Sequence, residues 1–311
     1  MTAITAGMVK SLRDKTGVGM MDCKTALAET NGDMEAAIDW LRAKGISKAA
    51  KKADRVAAEG LIGIATAAKA GAVVELNSET DFVARNADFQ NTVAAIAKLA
   101  LKAGGDLEKL AATEYPKTKV SVADYIKELV GSIGENLSLR RTAALKVKDG
   151  VVATYVHNPV APGSTLGKIG VLVALESKGD KEKLNEIGRQ VAMHVAATSP
   201  LAVTDEEIDP EVLERERAVL AERAKESGKP EKVVKQMIEG GVKKFYQEVV
   251  LLKQAFVINP DLTVEKAVKE AEAAVGAPIT VKGFVRYALG EGIKTDKGDF
   301  AAEVAAAAGT K

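Results

Sequence analysis

An acid beside a phenylalanine, Asp81-Phe82, stands just past an apolar run and inside the segment Thr80-Asp81-Phe82-Val83. Placed past a strand end, the pair lies in a loop, where it can do functional work. Loops carry such work disproportionately. The same residues admit a structural reading, in which Phe82 folds back on the core and Asp81 caps the next helix. Covalent chemistry has few other candidates. His157 and His194 are the only histidines, and they are far apart in sequence. There is no G-x-x-x-x-G-K-[ST] phosphate loop, and GVGMMD from Gly17 and LGEGI from Leu289 miss the spacing of a dinucleotide loop.

Two further groups could serve binding. Met20-Met21, read as a turn between two helices, offers flexible apolar side chains that suit either a contact patch or core filling. His194, within QVAMHVAA, is either a hydrogen-bonded structural histidine or an interface residue. The basic run from Lys48 to Arg55 is a solvated helix face rather than a phosphate tract.

The bulk figures narrow the partners. With 44 Lys and Arg against 43 Asp and Glu, the net charge is +1 and no long-range field draws in nucleic acid. The single Cys23 builds neither a disulfide nor a zinc site. No run reaches the roughly 20 apolar residues of a membrane span. The N-terminus passes directly into a capped amphipathic pattern without a leader, so a cytoplasmic protein is expected. At 311 residues, several domains are expected.

Elements must hold these groups in place, and their spacing predicts an α+β fold. Residues 1–55 read as a three-helix N-terminal domain with a basic linker. Thr5, Asp22 and Asp33 serve as caps, and Gly17 and Gly45 end the first and third helices. Residues 56–145 form one half of a core, with strands at Leu61–Ile64 and Val73–Asn77 and a helix from Ala87. Residues 146–208 with 251–290 form the other half, with a strand at Ile169–Glu176 and a helix from Lys181. GAVVELNSETD from Gly71 and GKIGVLVALESKGD from Gly167, each leading into a helix, indicate a duplication with antiparallel sheets. Residues 209–250, charged and apolar at helical spacing on both sides of Gly228-Lys229-Pro230, predict an inserted helical hairpin. Residues 291–311 make a C-terminal module, with an alanine-rich helix from about Phe300.

ITAGMVKSLRDKTGVGMMDCKTAL from Ile4 resembles the opening of the elongation factor Ts family. SETDFVARN from Ser78, IGENLSLRR from Ile133, IGVLVAL from Ile169, AMHVAA from Ala192 and GFVRYALGEGI near the C-terminus follow in that family's order. The resemblance spans the chain. It implies a ubiquitin-associated-like first domain, a two-part core and a coiled-coil hairpin. It further implies a non-enzymatic guanine-nucleotide exchange factor for elongation factor Tu, with no cofactor, direct nucleic-acid contact or membrane. By the same resemblance Thr80, Asp81, Phe82 and Val83 disturb the partner's Mg²⁺. Met20, Met21, Lys24, Ile133, Gly134 and His194 would contact the GTPase, and a homodimer or a two-to-two complex with it is left open. The rival readings are an adaptor that binds partners through the three-helix domain, and an enzyme whose polar pocket the sequence does not advertise.

Overall fold

The computed structural model describes residues 4–16, 18–50 and 52–294. Three helices open the chain, α1 (Ala6–Thr16), α2 (Met20–Glu29) and α3 (Met34–Ala50). Thr5 Oγ1 accepts from Met8 N at 3.3 Å and Asp33 Oδ1 from Ala36 N at 2.9 Å, so both caps form where the spacing predicts. Leu12, Cys23, Leu27 and Leu41 close a small core between the helices.

Two expectations shift here. The second helix begins at Met20, not at a cap on Asp22. Cys23 N already donates to Gly19 O at 3.0 Å, so Met20-Met21 lies in the first helical turn, with Asp22 where negative charge suits the helix dipole. The third helix runs past Gly45 to Ala50 because that glycine is a packing residue. A Cβ added to Gly131 would sit 2.8 Å from Gly45 Cα, so the two helices cross there with no side chain between them. The expected cap at Gly17, the alanine-rich helix from Phe300 and residues 295–311 of the C-terminal module lie outside the described residues.

The core begins with a hairpin, β1 (Glu59–Ala67) and β2 (Ala70–Ser78). There follow α4 (Ala87–Ala103), α5 (Leu107–Ala112), α6 (Val122–Ile133) and β3 (Leu137–Lys146), and β3 pairs antiparallel with the far side of β2. The pattern then recurs. β4 (Gly150–His157) and β6 (Ile169–Glu176) form a hairpin interrupted by the short β5 (Leu166–Gly167), which crosses to pair with β1. Next come α7 (Lys181–Thr198), the helices α8 (Pro210–Glu226) and α9 (Glu231–Val249), the small pair β7 (Ala255–Phe256) and β8 (Asn259–Thr263), and α10 (Val264–Val275). β9 (Thr280–Ala288) closes the unit antiparallel to β6.

Both middle strands slip register against their third strand, at Glu75/Leu76 and at Ala174/Leu175. Strand alternation explains the layering. Val74 and Leu76 face α4, and Val173 and Leu175 face α7. Val73, Ile62 and Ile64 from one sheet meet Leu172 and Ala174 from the other in a shared seam. The layers therefore run helix, sheet, sheet, helix.

Two glycines permit this seam. A Cβ on Gly71 would fall 2.7 Å from Val152 Cγ1, and one on Gly170 would fall 2.6 Å from Ile62 Cγ2. Each sheet thus gives way where the other's aliphatics press in. The structural counterpart of Gly71 is Gly170 rather than Gly167.

Asp209 caps α8 by accepting from Glu211 N at 2.8 Å, and Pro210 supplies a preset φ at its first position. Gly228 (φ 63°) and Pro230 break the run, so α8 and α9 pack side by side, with Leu220 over Gly241. Ala202, Ile208 and Val250 bury the foot of this hairpin. Among the described residues no helix is long and apolar enough to cross a membrane.

Candidate functional site

The segment that leaves β2 is fixed at both ends and free in its middle. Downstream, Val83 and Ala84 are buried in the core, and Gln90 Nε2 donates to Ala84 O at 2.8 Å. Asn86, not Asp81, caps α4, its Oδ1 accepting from Asp88 N at 2.8 Å and Phe89 N at 3.2 Å. Between these anchors Phe82 stands 72% exposed and does not fold back. Arg85 pairs with Asp81 at 3.1 Å and lies over the Phe82 ring at 5.8 Å. Ion pairs this exposed contribute under about 1 kcal/mol, so the Asp81 carboxylate is readily diverted.

Upstream, the segment is tied to the turn after α6. Gly134 takes a left-handed φ of 88°, which turns the chain so that Glu135 and Asn136 point back at it. Thr80 N donates to Glu135 Oε2 at 2.9 Å and Thr80 Oγ1 to Glu135 Oε1 at 2.6 Å. In return Asn136 N donates to Glu79 Oε1 at 2.6 Å. Asn136 Nδ2 reaches Arg55 O at 2.7 Å, and Lys52 Nζ donates to Gly134 O, so the linker from the three-helix unit is held at the same place.

A cleft of about 1070 Å³ lies beside this loop, between the three-helix unit and the core. Phe82, Val83, Ile133 and Glu135 line one wall, and Asp22, Leu41 and Lys44 contribute to the other. Met20, Met21 and Lys24 are exposed on α2, Met21 by 74%, but they do not line the cleft, nor does Gly134. Among the described residues no cluster of three or more His, Cys, Asp or Glu could hold a metal ion.

His194 is placed differently from a surface contact. It is fully buried. Val257 N donates to its Nδ1 at 3.2 Å, so the ring carries its proton on Nε2 and donates to Gln254 Oε1 at 2.9 Å. Gln254 Nε2 in turn donates to Glu248 O at 2.7 Å, which fixes the amide's orientation. Burial pushes the His194 pKa below its ordinary value, outweighing the Gln254 bond, which raises it. The geometry is that of the structural histidine. Val257, which it holds, and the neighbouring Ile258 are exposed.

Sequence reasoning overlooked two groups. Glu79, Glu135 and Asn136 are polar residues flanking apolar elements, and their signal lay inside SETDFV and IGEN. Glu75 is a fully buried carboxylate, with Arg140 Nη1 at 3.1 Å, Asn77 Nδ2 at 3.0 Å and Gly290 N at 2.8 Å from Oε1. Arg141 Nε donates to its Oε2 at 2.5 Å. Burial raises its pKa, but the bonds from Gly290, Arg141 and Asn77 together win and hold it below the ordinary value. The signal was an acid within an apolar strand, opposite Arg140-Arg141.

Residues 79–291 match the family model described as Elongation factor TS. The chain is 66% identical over 308 residues to "Elongation factor Ts" of Parvibaculum lavamentivorans, an alignment covering 99% of each protein. It is 64% identical over 307 residues to the protein of the same name from Rhizobium etli, again covering 99% of each. With that of Sinorhizobium fredii it shares 64% identity over 305 residues, 98% of this chain and 99% of the relative. The chain belongs to the elongation factor Ts family. It is thereby a translation elongation factor of the nucleotide-exchange kind. The matched region contains the 79–86 loop and the core from there through β9, and the three-helix unit and the β1–β2 hairpin lie before it.

Proposed function

We propose that the chain releases GDP from elongation factor Tu by driving the Thr80–Val83 loop against the partner's nucleotide site. The observation that carries this reading is an exposed Phe82 beside a weakly paired Asp81, on a loop fixed at both ends. A preset loop loses little conformational entropy on insertion. Phe82 wedges between apolar elements of the GTPase, and Asp81 disturbs the groups that hold its Mg²⁺, whose charge anchors the nucleotide phosphates. Whatever factor the chain takes off GDP affinity, GDP takes off the chain's affinity for the partner, so binding of GTP displaces it in turn.

Met20, Met21 and Lys24 add contacts from α2. Met20 and Lys24, four residues apart, share one helix face. Ile133 and Gly134 add contacts beside the loop, and His194 contributes by holding Val257. The reading places the protein in the cytoplasm with the translation apparatus. The adaptor alternative is disfavoured because the exposed Phe82 and the weakly paired Asp81 lie in the core, outside the three-helix unit.

Stopped-flow release of a fluorescent GDP from purified elongation factor Tu at fixed Mg²⁺ tests the proposal. Acceleration that saturates with this protein is expected, and folded Phe82→Ala and Asp81→Ala variants should lower its ceiling. Wild-type ceilings in both variants would overturn the role given to the loop.

A further inference from the structure

We infer that Glu135 is a positioning residue for nucleotide release, holding Asp81 and Phe82 outward from across the fold; this rests on the loop reading above. Only Glu79, Thr80, Asp81 and Phe82 separate the end of β2 from the buried Val83. Within that stretch both donors of Thr80, its N–H and its hydroxyl, end on the two oxygens of one carboxylate, at 2.9 and 2.6 Å. Two-pronged bonds to an ionised acceptor are stronger than neutral ones and fix orientation as well as distance.

The grip is mutual. Glu79 accepts from the backbone of Asn136 at 2.6 Å while Glu135 accepts from Thr80, so each segment lends the other a carboxylate. A single bond would leave the loop free to pivot, whereas this exchange closes a ring through both backbones. Without it, an exposed phenyl ring beside a cleft whose lining includes Leu41 and Ile133 gains by collapsing inward. Glu135 opposes that collapse. It need not touch the partner to do so.

The same turn carries a second connection. Asn136 Nδ2 donates to Arg55 O at 2.7 Å and to Ala53 O at 3.3 Å, just after the three-helix unit. The turn after α6 therefore sets the loop and the linker against one frame.

The test is GDP-release kinetics with the full chain, reading the maximal rate apart from the half-saturating concentration, in a double-mutant cycle. Glu135→Ala should lower the maximal rate roughly 10- to 100-fold, the range for reacting parts displaced by about an ångström. The half-saturating concentration should move by less than about threefold, since contacts elsewhere persist. Glu135→Gln keeps an oxygen acceptor and should recover much of the rate. Thr80→Val, which keeps the N–H bond, should fall between Glu135→Ala and wild type and serves if Glu135→Ala unfolds. In a Phe82→Ala background Glu135→Ala should cost clearly less than in the wild type, because only Asp81 is then left to position.

A purely structural role would instead lower the rate by the same factor in both backgrounds, and that result overturns the inference. A wild-type maximal rate in Glu135→Ala overturns it as well. If Phe82→Ala also keeps the wild-type rate, the loop reading itself has failed, and if Phe82→Ala alone is slow, only the positioning role has.

Discussion

The two hairpin–helix–strand units of the core agree in register and differ in how the middle strand passes the chain to its helix. In the second unit the passage is a tight turn from Ser177 to Asp180. Asp180 caps α7 and also donates its N–H to Val275 O at 2.9 Å, so α10 covers the turn. In the first unit the passage runs from Ser78 to Asn86, and it carries Asp81 and Phe82 out into solvent. Both passages end in a capping side chain, so the helices begin alike. The two connections differ in exposure while the scaffolds beneath them are alike.

The middle strands diverge once more. At the register slip the first unit buries Glu75 where the second buries Ala174. The glutamate ties its sheet to Arg140, Arg141 and the backbone of Gly290. The largest expected effect follows from this asymmetry. Glu75→Ala should cost about 3 kcal/mol, the lower end for breaking a buried pair, because both arginines keep some contact with water. Urea titration at neutral pH measures it, and a loss under about 1 kcal/mol would reduce Glu75 to the standing of Ala174.

Next in size is the contrast between the two connections. Phe82→Ala should lower the maximal GDP-release rate about 100-fold, while Lys178→Ala, exposed in the opposite turn, should leave it within about twofold. Equal losses would dissolve the functional difference between the units.

The seam tests their likeness. Gly71→Ala and Gly170→Ala each drive a methyl group into the facing sheet, and each should cost toward the lower end of about 1–3 kcal/mol. Thermal or urea midpoints that shift for only one of them would show that the sheets do not meet as equals.

The smallest effect is in pH. The folded His194 pKa is lowered from 6.5, so the unfolded chain takes up that proton first as pH falls. The stability His194 contributes is present above about pH 6.5 and is lost below it, toward the folded value. Glu75 is lowered from 4.5, so its share persists to about pH 4.5 and is lost as pH falls through its own folded value. Stability measured against pH should lose its slope just below 6.5 in His194→Gln and keep it in Glu75→Gln. The reverse outcome would exchange the two assignments.

Much of this was legible in advance for identifiable reasons. Helices with a hydroxyl or carboxylate cap, such as those starting after Thr5 and Asp33, announced their beginnings, and β-branched runs such as Ile169–Glu176 announced strands. Glycine misled. Gly45 looked like a helix end because its use, letting Gly131 approach, depends on a helix far along the chain. The cap of α2 was misplaced because Gly19 has no side chain to mark it. In the site, the residues alone left open whether Phe82 folds back or stands out, and the grip of Glu135 on Thr80 joins segments whose pairing no local pattern encodes. His194 showed its apolar surroundings in sequence, but its burial depends on Gln254 and Val257, which arrive only after the helical hairpin.

The outward stance of Phe82 also has a bearing on hydration. Every unbound molecule keeps a benzyl group wetted that could have been covered, and full burial of such a side chain is worth about 1.5–3 kcal/mol. That free energy is withheld from folding and is released only where a second surface excludes water from the ring. The chain alone is therefore less stable than its composition would allow, and the shortfall is concentrated at Phe82.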